Sequence, residues 1–214
     1  MLYENERKQI VEACLEMARK GLVVGTAGNV SIRVGEHVVI SPSAVPYEEM
    51  TPADVAVVDR AGMQIEGNFR PSSECKLHLS VYANTDAGAI THNHAPASTA
   101  LGLVVEDEIP VSHYYSMLFG GPIRVAGYSL FGGKKLADEV TAALEGRTAA
   151  LMSNHGAITI GKSLSQALEL LPYLEYVCEI HLRALATGLP VKILSEDEMA
   201  EAGAGVAGYG KKEN

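Results

Sequence analysis

Gly88-Ala-Ile-Thr-His-Asn-His94 is the stretch on which the reading of the chain turns. Its apolar start and polar end read as a buried strand that opens on solvent at its far end. In a strand, residues two apart point to the same face, so His92 and His94 stand side by side. Two imidazoles at that spacing can share one first-row divalent ion, each at ~2.0–2.1 Å.

Working outward, residues 149–152 and 157–160 read as apolar strands on either side of Ser153-Asn-His-Gly156. This puts a third imidazole, His155, in a tight turn where a merely structural histidine has little to pack against. Upstream, Ser72 or Ser73 caps a helix of about ten residues carrying Leu77, Val81 and Tyr82. Glu74 falls one or two residues inside its start, where the helix dipole favours a carboxylate. Three histidines and one carboxylate match a catalytic zinc site, whereas a closed structural site would be richer in thiolate. His78 lies four residues beyond Glu74 on the same helical face and is placed to orient that carboxylate. His37, at a strand start, and His181, in a long helix, are expected to be structural.

The remaining segments complete one α/β domain over residues 1–214. Residues 4–20 form an amphipathic helix stopped by Gly21, with Ile10, Val11, Cys14, Leu15 and Ala18 at helical spacing. Gly25-Thr-Ala-Gly-Asn-Val-Ser-Ile-Arg33 is a glycine-punctuated loop running into a strand. Residues 37–40 are a second strand, closed by Ser41-Pro42-Ser43, and residues 55–58 and 63–65 form a hairpin. Residues 123–126 are a strand and 134–144 a helix. A long apolar helix capped by Ser163 or Ser165 runs to about Thr187 and stops at Gly188; Pro172 is expected to kink or break it. Ser195 begins a short acidic helix, and a flexible tail is expected from about residue 203.

Composition narrows the function. Hydrophobic residues make up 47% and charged residues 20% of 214, as in an ordinary soluble globular protein. Seventeen basic against 26 acidic residues give a net charge of −9, which argues against a nucleic-acid face. It leaves room for a phosphorylated small molecule, because backbone amides, hydroxyls and a metal can hold a phosphate locally. Residues 4–9 are too polar for an export signal, and no stretch approaches the ~18 apolar residues of a membrane span. Cys14, Cys75 and Cys178 are widely spaced and odd in number, so free buried thiols and a cytoplasmic location are expected.

Gly25-Thr-Ala-Gly-Asn-Val-Ser31, Ser41-Pro-Ser43, Pro71-Ser-Ser-Glu74, His92-Asn-His94 and Asn154-His-Gly156 occur together and in order. This combination closely resembles the class II aldolase/adducin family, most nearly its L-fuculose-phosphate aldolase branch. The likeness extends over essentially the whole chain. It implies a three-layer α/β/α fold with a mainly antiparallel central sheet, and a homotetramer with active sites between subunits. It implies one zinc ion per subunit, held by Glu74, His92, His94 and His155, and a phosphate pocket at Gly28, Asn29, Ser43, Ser72 and Ser73. It also implies that Tyr114 and Tyr209 reach the aldehyde side from a neighbouring subunit, and that Phe131 walls that pocket. Ala44 stands where this branch often carries glycine.

The implied reaction is reversible cleavage of a ketose 1-phosphate, L-fuculose 1-phosphate or a similar deoxy-ketose phosphate, to dihydroxyacetone phosphate and a short aldehyde. Glu74 serves there as general base and Tyr114 as a second acid or base. A pentulose-5-phosphate 4-epimerase, a sugar-acid-phosphate decarboxylase or a dehydratase would use related chemistry. A non-catalytic adducin-like assembly module is the alternative of another class, and a scaffold has no need of an open metal site.

Overall fold

Four consecutive apolar residues, Ala149 to Met152, are all fully buried, which a strand permits only when both faces of its sheet are covered. The computed structural model describes residues 1–208 and bears out that architecture. Helix α1 (Glu4–Arg19) precedes strands β1 (Asn29–Val34), β2 (His37–Ile40), β3 (Ala56–Asp59) and β4 (Gln64–Glu66). Helix α2 (Cys75–Asn84) leads into β5 (Ala89–Asn93), followed by α3 (Pro96–Leu101), β6 (Glu108–Ile109) and a 3-10 segment, Tyr114–Phe119. Then come β7 (Ile123–Ala126), α4 (Lys134–Ala143), β8 (Ala149–Met152), β9 (Gly156–Gly161), α5 (Leu164–Ala186) and α6 (Glu196–Gly208).

The nine strands form one sheet in the order β4-β3-β2-β1-β5-β9-β8-β7-β6. Every pairing is antiparallel except β7 with β8. On one face Ile40, Val58, Ile90, Met152 and Ile158 pack against Leu77 and Val81 of α2 and Leu136 and Val140 of α4. On the other, Val30, Val39 and Val57 meet Ile10, Cys14 and Met17 of α1, while Ile123, Ala149 and Leu151 meet Leu101 of α3 and Leu174 and Val177 of α5. Each fully buried Leu, Ile or Val contributes roughly 1.5–3 kcal/mol, so the two cores hold the three layers together. All three cysteines are free and buried, and among the described residues no helix is long and apolar enough to cross a membrane.

Some local expectations change. Pro172 neither breaks nor ends α5, which is helical throughout its 23 residues. The proline lies on the exposed side, where water can satisfy the carbonyl it leaves without a donor, while Leu171 and Leu174 stay packed. Residues 203–208, expected within a flexible tail, belong to α6, whose start is a capping box: the Ser195 N–H donates to Glu198 Oε2 and the Glu198 N–H to Ser195 Oγ. Helix α3, strand β6 and the 3-10 segment had no counterpart in the sequence reading.

The entry to β5 is tightly built. The Gly88 N–H donates to the Gly161 carbonyl at 2.8 Å, and a Cβ at position 88 would collide with the Lys162 carbonyl. Gly88→Ala is therefore expected to cost ~2 kcal/mol or more through backbone displacement, read as a lowered urea midpoint. An unchanged midpoint contradicts this account of the β5–β9 contact.

Candidate metal centre

The centre of the sheet supplies the site. Strand β5 lies between β1 and β9, with Asn29 opposite His92 on one side and Ile158 opposite it on the other. His92 is fully buried, and its Nδ1 lies 2.9 Å from the Ala157 carbonyl. A carbonyl only accepts, so Nδ1 carries the hydrogen and the Nε2 lone pair points away from β9. There it meets His94 Nε2 at 2.9 Å and Glu74 Oε2 at 3.0 Å. His94 is the first residue past β5, and its main-chain N–H is anchored on the Leu22 carbonyl. His155 sits in the three-residue connection between β8 and β9, which the Met152–Gly156 pair closes. Asn154 takes the left-handed conformation there (φ 58°), and its N–H donates to Gly102. The three imidazole centroids are 4.7, 4.9 and 5.1 Å apart.

Glu74 completes the group, at a slightly different place from that expected. It is the N-cap residue of α2, outside the first turn, and neither serine caps the helix in the ordinary way. Instead Ser72 Oγ accepts from the Glu74 N–H at 3.2 Å and the Ser72 carbonyl from the Cys75 N–H. This turn aims the carboxylate inward. Oε2 accepts from Asn29 Nδ2 at 2.9 Å; Oε1 is buried, has no hydrogen-bond partner among the described residues, and lies 3.5 Å from His155 Nε2.

The electrostatics follow from this crowding. Burial alone would raise the Glu74 carboxyl, but His92, His155 and Asn29 outweigh it and hold the group well below the usual carboxylate range. Burial likewise opposes charge on His92, yet the facing carboxylate raises its pKa. His94 is pushed down to about 4 by burial and by His92 and His155, and His155 is lowered for the same reasons. Two imidazoles are thus neutral at neutral pH, and the third shares a proton site with a carboxylate. The ligand nitrogens of the three imidazoles lie within 4.8 Å of one another, with the partnerless Glu74 Oε1 3.5 Å from His155 Nε2, a donor set suited to a divalent cation taking the place of that proton.

Of the residues expected to hold a phosphate, Gly28 and Ser72 adjoin this point. Gly28 is held by Tyr47, whose hydroxyl donates to the Gly28 carbonyl at 2.8 Å, and a Cβ at position 28 would meet the His92 carbonyl at 2.8 Å. Residues 41–43 and 70–72 are tied together by Ser43 N–H to Arg70 O, Ser72 N–H to Ser41 O and a Pro42–Pro71 bridge. Ser73 is exposed at the start of α2, and a Cβ at Gly132 would come within 2.7 Å of its carbonyl, so the segment bearing Phe131 abuts it. The Asn29 side chain is engaged by Glu74 and His78.

The structure does not draw Tyr114 to the imidazoles. It is 48% exposed, stacks on His113, and lines a groove with Tyr115, Tyr173 and residues of α6. Phe131 is likewise exposed, and Tyr209 lies outside the described residues. His37 and His181 have the structural partners expected of them, Tyr3 and Ser112.

Asn29, Ser31, Tyr47 and Glu175 support the site in ways the sequence reading did not foresee. The Glu175 carboxylate accepts from the N–H groups of Ala97 and Ser98, fixing the start of α3 directly after the histidine pair. Pro96 at the first helical position was the signal available for that helix.

Two predictions follow from this geometry. His92→Ala and His155→Ala are expected to abolish stoichiometric zinc binding, measured by elemental analysis after dialysis, while His37→Ala keeps it; retention by both ligand variants contradicts the site. Ala44 occupies the left-handed region (φ 58°) and is exposed. Relieving ~1–2 kcal/mol of strain against the ~0.4–1 kcal/mol entropy of a freer unfolded chain leaves Ala44→Gly more stable by about 0.5–1 kcal/mol. A lower urea midpoint for this variant contradicts that balance.

Comparison with known proteins agrees with the geometry. Residues 8–182 match the family model described as Class II Aldolase and Adducin N-terminal domain. The chain is 40% identical over 195 residues to an L-fuculose phosphate aldolase of Escherichia coli, covering 90% of each. It is 36% identical over 216 residues to a 5-deoxy-D-ribulose 1-phosphate aldolase of Bacillus thuringiensis, covering 99% of this chain and 100% of the relative. A solved L-fuculose 1-phosphate aldolase superposes with a TM-score of 0.91 at 30% identity, over 97% of this chain and 98% of the other. The chain therefore belongs to the class II aldolase and adducin family.

Proposed function

We propose that the protein is a zinc-dependent aldolase that reversibly cleaves a ketose 1-phosphate, L-fuculose 1-phosphate or a similar deoxy-ketose phosphate, to dihydroxyacetone phosphate and a short aldehyde. The observation that carries this reading is a buried, ionised Glu74 whose Oε1 lacks a partner among the described residues and faces the converged imidazoles. A scaffold would gain nothing from that arrangement. The names of the relatives support the reaction type and divide over the sugar.

His92, His94, His155 and Glu74 would hold the ion. When bound, it supplies Lewis-acid polarisation of the substrate carbonyl and positive charge against the electron pair released as the carbon–carbon bond breaks. Glu74 Oε1, freed when substrate oxygens take its place at the ion, would exchange a proton with the carbon that becomes nucleophilic in the condensation direction, while Oε2 stays tethered to Asn29. Gly28, Asn29, Ser43, Ser72 and Ser73 would hold the phosphate; the Ser43 and Ser72 N–H groups already donate to Arg70 and Ser41, so these two would use their hydroxyls. Binding there fixes the position of the reacting carbons. No lysine falls in these segments, which makes a Schiff-base route the poorer reading.

The aldehyde side is inferred to be shared between subunits of a homotetramer. The exposed side chains of Tyr128, Leu130, Phe131, Leu103 and Val104 support an assembled state. Tyr114 and Tyr209 are proposed to reach the aldehyde from a neighbouring subunit.

The test is condensation of dihydroxyacetone phosphate with lactaldehyde or glycolaldehyde by the zinc-loaded protein. Product is expected only when zinc is present. Glu74→Gln is expected to bind zinc but lose proton exchange at dihydroxyacetone phosphate by ~10²–10⁴-fold. Undiminished exchange removes Glu74 from the base role, and no condensation with either aldehyde overturns the aldolase reading.

A further inference from the structure

Behind Glu74, a buried polar chain runs on from Asn29 through His78 to residues that the proposed function does not use. Asn29 Oδ1 lies 2.5 Å from His78 Nε2, His78 Nδ1 lies 2.6 Å from Ser31 Oγ, and Ser31 Oγ lies 2.8 Å from the Tyr82 hydroxyl. Ser31 and His78 are fully buried, Asn29 is 3% exposed and Tyr82 6%. Elements β1 and α2 supply all four residues.

The direction of every bond can be worked out from its acceptor end. A carboxylate only accepts, so the Asn29 atom facing Glu74 is Nδ2, and Oδ1 faces His78. Oδ1 accepts in turn, which requires a hydrogen on His78 Nε2. His78 is fully buried, and its two partners, Asn29 and Ser31, are both neutral. An imidazolium there would be poorly solvated, with no charged side chain hydrogen-bonded to the ring. The ring is therefore neutral, Nδ1 is bare, and the single Ser31 hydrogen points to it. Ser31 Oγ then accepts from Tyr82. The bonds run one way, Tyr82 to Ser31 to His78 to Asn29 to Glu74 Oε2, and their dipoles add along the chain.

We propose that His78 is a positioning residue: held as its Nε2–H tautomer by Ser31 and Tyr82, it locks the Asn29 amide so that Oε2 of Glu74 is always the tethered oxygen and Oε1 the available one. Without that lock the amide is free to swing away from the carboxylate, and the two carboxylate oxygens become interchangeable. The chain thus makes a symmetric side chain asymmetric. The consequence for turnover rests on Glu74 acting as proposed above; the hydrogen-bond direction does not.

The experiment has two arms. In the metal-free protein labelled with ¹⁵N-histidine, NMR is expected to show His78 as the neutral Nε2–H tautomer across neutral pH, with Ser31→Ala shifting it toward a tautomer mixture. A wild-type Nδ1–H or doubly protonated ring overturns the proposal. In the zinc-loaded enzyme, His78→Leu is expected to lower kcat about 10–100-fold with little change in KM, and His78→Gln, which keeps a donor toward Asn29, to recover most of it. A purely structural role would lower thermal stability equally in both variants without that split, and overturns the proposal. Should His78→Leu fail to fold, the Gln variant and the Ser31→Ala spectrum still decide. Should no sugar phosphate turn over, the aldolase reading fails while the NMR arm still decides the tautomer.

Discussion

The arrangement rests on one contact, the approach of a buried carboxylate, Glu74, to an amide and two imidazoles at the ends of three central strands. Negative charge beneath a sheet is costly unless it is paired and hydrogen-bonded, and here both conditions are met. Asn29 from the start of β1 donates to it, His92 from the end of β5 faces it, and His155 from the turn before β9 approaches it. Antiparallel pairing of β5 with both neighbours brings those ends together. Reversing one of these strands would carry its side chain to the opposite end of the sheet.

Around that contact the backbone is packed too closely for ordinary side chains. Gly28 lies against the His92 carbonyl, and a Cβ at Gly156 would meet the Asn93 carbonyl and the His92 ring. These approaches keep the imidazoles from turning, as does the Nδ1–H bond of His92 to Ala157.

Much of this was legible in the sequence because it depends on short-range periodicity. The two-residue spacing of His92 and His94 could place both rings together only in a strand, and β5 is that strand. The strands at 37–40, 123–126 and 149–152 have the expected bounds, since apolar runs between turn residues leave little choice. What escaped was decided by tertiary contacts. Ser72 and Ser73 both suit an N-cap, yet Ser72 turns its hydroxyl to the Glu74 N–H and makes Glu74 the boundary residue. Residues 96–101 are small and weakly amphipathic; a distant carboxylate, Glu175, holds them helical. His78 had the right spacing to reach Glu74 directly, but Asn29, 49 positions away, stands between them.

The central claim is that Glu74, His92, His94 and His155 form one divalent-metal centre, and X-ray absorption at the zinc edge of the reconstituted protein tests it most directly. The account predicts a first shell of nitrogen and oxygen at ~2.0–2.1 Å with the multiple scattering of three imidazoles and no sulfur. A sulfur scatterer near ~2.3 Å, or fewer than three imidazoles, would contradict it.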